Sequence, residues 1–533
     1  MHLPVGLFII ATTAIVAAWA WLGAPIAMPP SPLAANEKLY CVSYAPFRAG
    51  LSPLEPATRV PADQIDDDLA RLARLTNCVR TYSTGNGIDQ VPAIAARHGL
   101  KVTLGLWLAS DPQKNAREIE TAVALADRYR DTVRAVVVGN EVLLRGEMAS
   151  PDLAATIRQV KARVPVPVTY ADVWEFWLRY RDVYEAVDFV TIHILPYWED
   201  FPIAARDAAG HVDAIRNRLV AAFPGKEVVI GETGWPSAGR MRAGALPSPS
   251  NQARVLHEVL TAAGRGGYNV NVIEAFDQPW KRRLEGTVGG HWGLLDADTR
   301  QPKFGWGEAV SDHPGWRLQA AAGVDLAAAV FAAAWFGRGR QAPRSRWLAV
   351  AVVATVAGVL IGWTLEKAAL ESLGIGGWLR SAALVMLALM APPITAAALT
   401  QGVALPRFAQ VLGGVDCRTP DRLALGLGLV FVALCAMALQ QALGLVFDPR
   451  YRDFPFTALT AAGVPYLLLA LMNPRERGID AMAERITALT LALSAVYVVL
   501  NEGFANWQAV WFSAALILLV IVMLPAAVAR SSG

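Results

Sequence analysis

The chain has 533 residues and a net charge of +3, with 54% hydrophobic and 17% charged residues. The near-neutral balance argues against a nucleic-acid partner. The apolar excess excludes an ordinary water-soluble enzyme along the whole length. It is also uneven: residues 5–27 form one apolar run, residues 38–315 have a soluble mixture, and residues 319–528 are mostly hydrocarbon.

The first run, "VGLFIIATTAIVAAWAWLGAPIA", is about 23 residues, enough to cross a bilayer. It lacks a basic leading region and has a long core, which favours an uncleaved transmembrane anchor over residues 1–30. A signal peptide cut near "PLAA" at residues 32–35 is the alternative. Either reading exports the soluble stretch beyond it.

From residue 38 to 315, apolar runs of strand length alternate with amphipathic stretches. The runs are "YCVSYAP" at 40, "CVRTY" at 78, "KVTLGLWL" at 101 and "VRAVVVGNE" at 133. Then come "VPVTYADVW" at 166, "VDFVTIHILPYW" at 187, "KEVVIGETGWP" at 226 and "VNVIEAFDQP" at 270. Helical patterns such as "IDDDLARLARL" and "NQARVLHEVLTAAGR" separate them. Such alternation implies a parallel sheet, and eight units in about 270 residues predict an α/β fold, the (β/α)8 TIM barrel. Cys41 and Cys78 open neighbouring predicted strands. Two buried thiols are the expected state, because adjacent parallel strands seldom offer disulfide geometry; a bridge in an oxidising compartment is the alternative.

In such a barrel the strands deliver their carboxyl ends to one mouth. Glu141 follows the fourth apolar run and Glu232 the seventh, so both acids should project over the centre. Two facing carboxyl groups suit glycoside hydrolysis, one protonated to assist the leaving oxygen and the other ionised to meet the anomeric carbon. The rival reading pairs one Glu with a barrel lysine or arginine; it suits either acid alone better than it suits both. Tyr44, Tyr82, Trp107, Trp174, Tyr197, Trp198, Trp235 and Trp280 are predicted at or just beyond strand ends. There they could stack on sugar rings, although Trp107 or Trp174 alone would more often be core. Asn140, beside Glu141, is a candidate donor to a sugar hydroxyl or an ordinary strand-end cap.

These motifs resemble family 17 glycoside hydrolases, which act on β-1,3-glucans through a (β/α)8 barrel. "GETGWPS" is similar to their nucleophile motif, "VVVGNE" to their acid/base strand and "VRTY" to their second-strand Arg-Tyr. "HILPYW" resembles their Pro-Tyr-aromatic strand, and "FDQPWKRRLEG" with "HWGLLDADTRQPKF" their closing segment. The resemblance covers about residues 38–310. It implies that Glu232 is the nucleophile and Glu141 the general acid/base, with retention of configuration. It further implies that Asn140 holds the sugar 2-hydroxyl, that Tyr197 and Trp235 line subsites, and that Lys281 and Glu285 assist. It implies no metal and no cofactor. His193 departs from the plant enzymes, which usually have Asn there, as do Leu195 and "DQPWK". His193 could bind sugar or be satisfied by its strand neighbours.

Beyond residue 316 the sequence predicts an all-α membrane domain over residues 317–528. Its seven spans lie near 319–336, 347–364, 381–400, 423–446, 457–472, 484–500 and 508–528. One set of loops carries Arg338, Arg340, Arg344 and Arg346, then Arg407, Arg418 and Arg422, then Arg475, Arg477 and Arg485. The opposite loops hold only Lys367, Arg380, Arg450 and Arg452. By the positive-inside rule the first set is cytoplasmic and the 38–315 domain lies outside. Cys417 would be cytoplasmic and Cys435 intramembrane. Asp325 is the acid expected inside a span, and Pro392, Pro393 and Pro465 would kink their helices.

The overall plan resembles bacterial membrane-bound family 17 proteins labelled β-1,6-glucan synthases. That implies a bacterial inner-membrane protein with a periplasmic catalytic domain, a β-glucan oligosaccharide or polysaccharide substrate, contact with the lipid bilayer, and a glucan synthase as a further partner. A nucleotide-sugar synthase would need a large cytoplasmic domain, and the longest cytoplasmic loop is short. Any linkage made should therefore arise by transglycosylation, which a membrane location favours over plain hydrolysis. A tethered hydrolase, a non-catalytic glucan sensor and a transporter accessory are the alternatives.

Overall fold

The computed structural model describes residues 2–336, 342–413, 421–475 and 481–524. They divide into two compact units, Ile26–Val310 and the pair of segments Met1–Pro25 and Ser311–Gly533.

In the first unit eight parallel strands close in sequence order: β1 Cys41–Ser43, β2 Cys78–Arg80, β3 Lys101–Leu106, β4 Val133–Asn140, β5 Val168–Val173, β6 Val190–His193, β7 Val228–Thr233 and β8 Val270–Val272. Each lies inside a predicted run. The strands are Val-rich and buried on both faces, as a sheet covered by helices requires. The intervening helices are fixed by ordinary end signals. Asp111 caps Pro112–Arg128 by accepting from the amides of Gln113 and Lys114, with proline at the first helical position. Ser248 caps Pro249–Gly266, and Gly267, at φ 62°, ends it. Helix Ala62–Leu72 buries Ile65, Leu69 and Leu72, one stripe at helical spacing.

The expectation of two free thiols on β1 and β2 is corrected: Cys41 and Cys78 form a disulfide. The register pairs Val42 with Val79, so the two cysteines stand directly opposite, their Cα atoms 4.3 Å apart.

The second unit is helical. His2–Leu22 packs there with Trp316–Phe336, Arg344–Glu371, Gly374–Gln401, Arg422–Phe447, Phe456–Met472, Met482–Glu502 and Trp507–Met523. The last seven fall where seven apolar segments were predicted. Among the described residues six helices, His2–Leu22 included, are long and apolar enough to cross a membrane; Phe456–Met472 and Trp507–Met523 are shorter, at 17 residues each. Small residues let backbones approach closely, the packing that apolar surroundings favour. A Cβ on Gly323 would lie 2.2 Å from the Gly358 carbonyl oxygen, and one on Gly358 would meet Ile15 at 2.4 Å. Ile15 is buried in that notch, and Trp19, also buried, lies against Gly362, where an added Cβ would come within 2.8 Å of its ring. Pro392, Pro393 and Pro465 lie within helices as expected, and Asp325 is exposed on its helix. Arg338, Arg340, Cys417, Arg418 and Arg477 lie outside the described residues, as does the predicted 525–528 end of the last span.

Candidate active site

Glu232 is the fifth residue of β7 and only 4% exposed. Glu141 stands one residue beyond β4 with φ 51°, in the left-handed region that side chains usually avoid, two residues after Gly139 at φ 88°. Its amide still donates to the Ala171 carbonyl at 2.8 Å, so the chain turns while remaining anchored to β5. Strained backbone of this kind is held in place by its surroundings. The result is convergence: a carboxylate oxygen of Glu141, one of Glu232 and a nitrogen of His193 lie within 4.8 Å of one another.

Arg80, at the end of β2, organises the centre. Its Nη1 donates to Glu232 Oε1 at 2.8 Å and to the Gly231 carbonyl at 2.9 Å, and its Nη2 donates to Asn140 Oδ1. Tyr82 Oη donates to the same Glu232 oxygen at 2.9 Å. Burial pushes the Glu232 carboxyl up, but the charges of His193, Arg80 and Lys281 and the Tyr82 hydrogen bond outweigh it and hold it below the usual value. By distance alone Glu141, His193 and Glu232 could hold a cation, yet the Arg80 guanidinium is already seated on the shared Glu232 oxygen.

A second charged group lies beside the first. Lys281 Nζ pairs at 3.0 Å with Glu274, which is fully buried. Burial lifts the Glu274 carboxyl to about 7 despite the lysine. Lys281 itself is raised, burial opposing and Glu274 favouring its charge. Glu285 is raised by burial and senses Lys281, Glu141 and Glu232. On the Glu141 side Asp172, buried on β5, is pushed up to about 6 by burial while Tyr170 Oη donates to it.

The structure thus gathers Glu141, Glu232, Asn140, Tyr82, Lys281 and Glu285 of the expected site residues. It does not bring Tyr44, Tyr197 or Trp235 to open surface. Tyr44 is fully buried with its hydroxyl on Asp68 at 3.0 Å. Tyr197 and Trp235 are equally buried, donating to the carbonyls of Arg240 and Leu246. Trp107, Trp174, Trp198 and Trp280 keep exposed area. Arg80, Glu274 and Asp172 were not singled out from sequence. Arg80 was visible only as part of "VRTY", and Glu274 and Asp172 sit within runs that read as strand.

Residues 41–293 match the BtgE/BtgC glycoside hydrolase domain family. The chain is 28% identical over 287 residues to a glucan 1,3-beta-glucosidase of Arthroderma benhamiae, covering 49% of this chain and 91% of that one. It is 26% identical over 252 residues to a glucan 1,3-beta-glucosidase of Saccharomyces cerevisiae, covering 43% and 80% respectively. It is 28% identical to a glycoside hydrolase family 17 β-1,3-glucanosyltransferase of Rhizomucor miehei, covering 50% of this chain and 97% of that one, with a TM-score of 0.45. These relatives are fungal and do not indicate a bacterial inner membrane. Over residues 41–293 the barrel is similar to the BtgE/BtgC glycoside hydrolase domain, and the chain is an enzyme acting on glycosidic bonds.

Proposed function

We propose that the chain is a retaining β-1,3-glucan-active enzyme that passes glucosyl units to sugar acceptors, held at a membrane by its helical unit. The observation that carries retention is the approach of the Glu141 and Glu232 oxygens to within 4.8 Å. Retaining pairs stand about 5–5.5 Å apart, whereas inversion needs about 6.5–9.5 Å for a water between them.

Glu232, kept ionised by Arg80 and Tyr82, attacks the anomeric carbon. Glu141, the more exposed acid, gives its proton to the leaving oxygen and then takes one from the incoming hydroxyl. Asn140, oriented by Arg80, is the donor for the 2-hydroxyl. Lys281 and Glu285 steady the charge on the nucleophile's side, and the exposed tryptophans form sugar walls. Tyr197 and Trp235 hold the loop that carries Arg240 and Leu246, and Tyr44 holds helix Ala62–Leu72 through Asp68.

Six long apolar helices and the arginines at 344, 346, 407, 422, 475 and 485 support a membrane location with the barrel outside the cytoplasm. The Cys41–Cys78 disulfide fits an oxidising compartment. There the substrate would be preformed β-glucan, supplied by a polymerising enzyme.

The test is incubation of the full chain, in detergent, with labelled laminari-oligosaccharides, beside Glu232→Gln and Glu141→Gln. Products longer than the substrate, reduced roughly 10³-fold or more in both variants, are expected. Only shorter products would overturn transfer and leave hydrolysis; inverted anomers would overturn retention.

A further inference from the structure

We infer that His193 is a positioning residue that follows the negative charge between the two carboxylates, serving Glu232 before bond cleavage and Glu141 after it. The inference rests on the roles given to those acids above.

The register of β6 on β7 slips between Ile192 and His193, which sets His193 opposite Glu232. The ring is 1% exposed, with Nδ1 2.9 Å from Glu141 Oε1 and Nε2 3.5 Å from Glu232 Oε1. Its seat depends on Gly231, where an added Cβ would come within 3.2 Å of the ring. The groups facing it are acidic: Glu141 beyond β4, Asp172 on β5 and Glu232 on β7. Arg80 reaches it only through Glu232, and Lys281 adds its charge on the same side.

The two acids are unequally served. Glu232 has Arg80 and Tyr82. Among the described residues, His193 is the side-chain hydrogen-bond partner of Glu141, and no lysine or arginine touches that carboxylate.

In the first half-reaction a Glu232 oxygen bonds to the anomeric carbon and the bond to the departing oxygen breaks. That oxygen takes the Glu141 proton. Negative charge disappears from Glu232, now an ester, and appears on Glu141. Neutral imidazole has one N–H and a nitrogen facing each acid. Changing between neutral tautomers would need a proton carried from Nε2 to Nδ1; the imidazolium, with an N–H toward each acid, suits both states with none of its own protons moved. Deglycosylation reverses the exchange. Arg80 and Tyr82 remain with Glu232 throughout, so only the ring spans both states.

The test compares full-length wild type with His193→Ala, His193→Asn and His193→Gln on laminari-oligosaccharides and on 2,4-dinitrophenyl β-laminaribioside, whose leaving group needs no proton. In the Ala variant kcat/KM on the oligosaccharide is expected to fall about 10²-fold, and on the aryl substrate less than about fivefold. The basic limb of the oligosaccharide profile should move to higher pH, because ionised Glu141 has lost its donor. Asn, whose amide nitrogen stands near Nδ1, should recover most of the rate, and Gln should not. Equal losses on both substrates with an unmoved limb, or equal rescue by Asn and Gln, would overturn the inference and leave His193 as packing against Gly231. A wild type inert toward both substrates would sink the functional assignment, and this inference with it.

Discussion

At the strand ends of the barrel the residues sealed from solvent include Arg80, Asp172, His193, Glu232 and Glu274. In the helical unit the corresponding seats belong to Ala327, Val350, Ala354, Ala388 and Leu427, with Gly323 and Gly358 letting backbones touch. The barrel keeps charges out of water, where each costs several kcal/mol unless paired and hydrogen-bonded. The helical unit largely avoids that cost and gains cohesion from close approach. Even so, the helical unit buries Arg407 and Glu484, so the contrast is one of degree.

The largest expected break in this contrast is Arg80→Met. It would leave the Glu232 carboxylate, the Gly231 carbonyl and Asn140 without their shared donor in a dry centre. Barrel stability at neutral pH should drop by about 3–5 kcal/mol, read by denaturant unfolding, with turnover lost in parallel. An unchanged midpoint would mean that the buried charge is cheap and the contrast is not real.

Gly323→Val probes the other side. The added carbon would sit 2.2 Å from a carbonyl oxygen, and overpacking of this kind costs about 1–3 kcal/mol. Thermal unfolding in detergent should show the helical unit melting earlier while turnover per folded molecule stays constant. Lost turnover would show that the units do not divide the work in this way.

The smallest effect sharpens the comparison through pH. Glu232 is held below its ordinary value, so it stabilises the fold above about pH 4.5, and that contribution is lost as pH falls through its folded value. Glu274 is lifted to about 7, so between about pH 4.5 and 7 the folded state binds more protons and stability falls as pH rises. Glu274→Gln should flatten that fall, read as the change in Tm across the window by thermal unfolding at a series of pH values. A steeper fall in the variant would mean that Lys281, and not burial, governs the Glu274 carboxyl.

The eight strands were legible because each is a Val-rich run closed by polar residues, and Glu141 and Glu232 because they end two of those runs. Local pattern carries that much. Arg80 was half legible: its motif was visible, but not that a β2 side chain would cross the barrel to β7. Glu274 and Asp172 were hidden by the apolar runs around them, which read as strand whatever single acid they carry. The aromatics show the converse limit. Tyr197 and Trp235 end strands as Trp107 does, yet loops cover the first two and leave the third 37% exposed. Strand position cannot say which rim residues the loops will bury. The disulfide stood second to free thiols because register, not strand adjacency, brings two cysteines face to face.

The notch formed by Gly323 and Gly358 has a temporal consequence. The helix that meets it, His2–Leu22, is synthesised before its receptor surfaces, which are encoded some 300 residues later. At about 5–20 residues per second that is a delay of roughly 15–60 s. During it the helix has to persist with Ile15 and Trp19 unpartnered. The helical unit is therefore completed only when its later helices close on an earlier one.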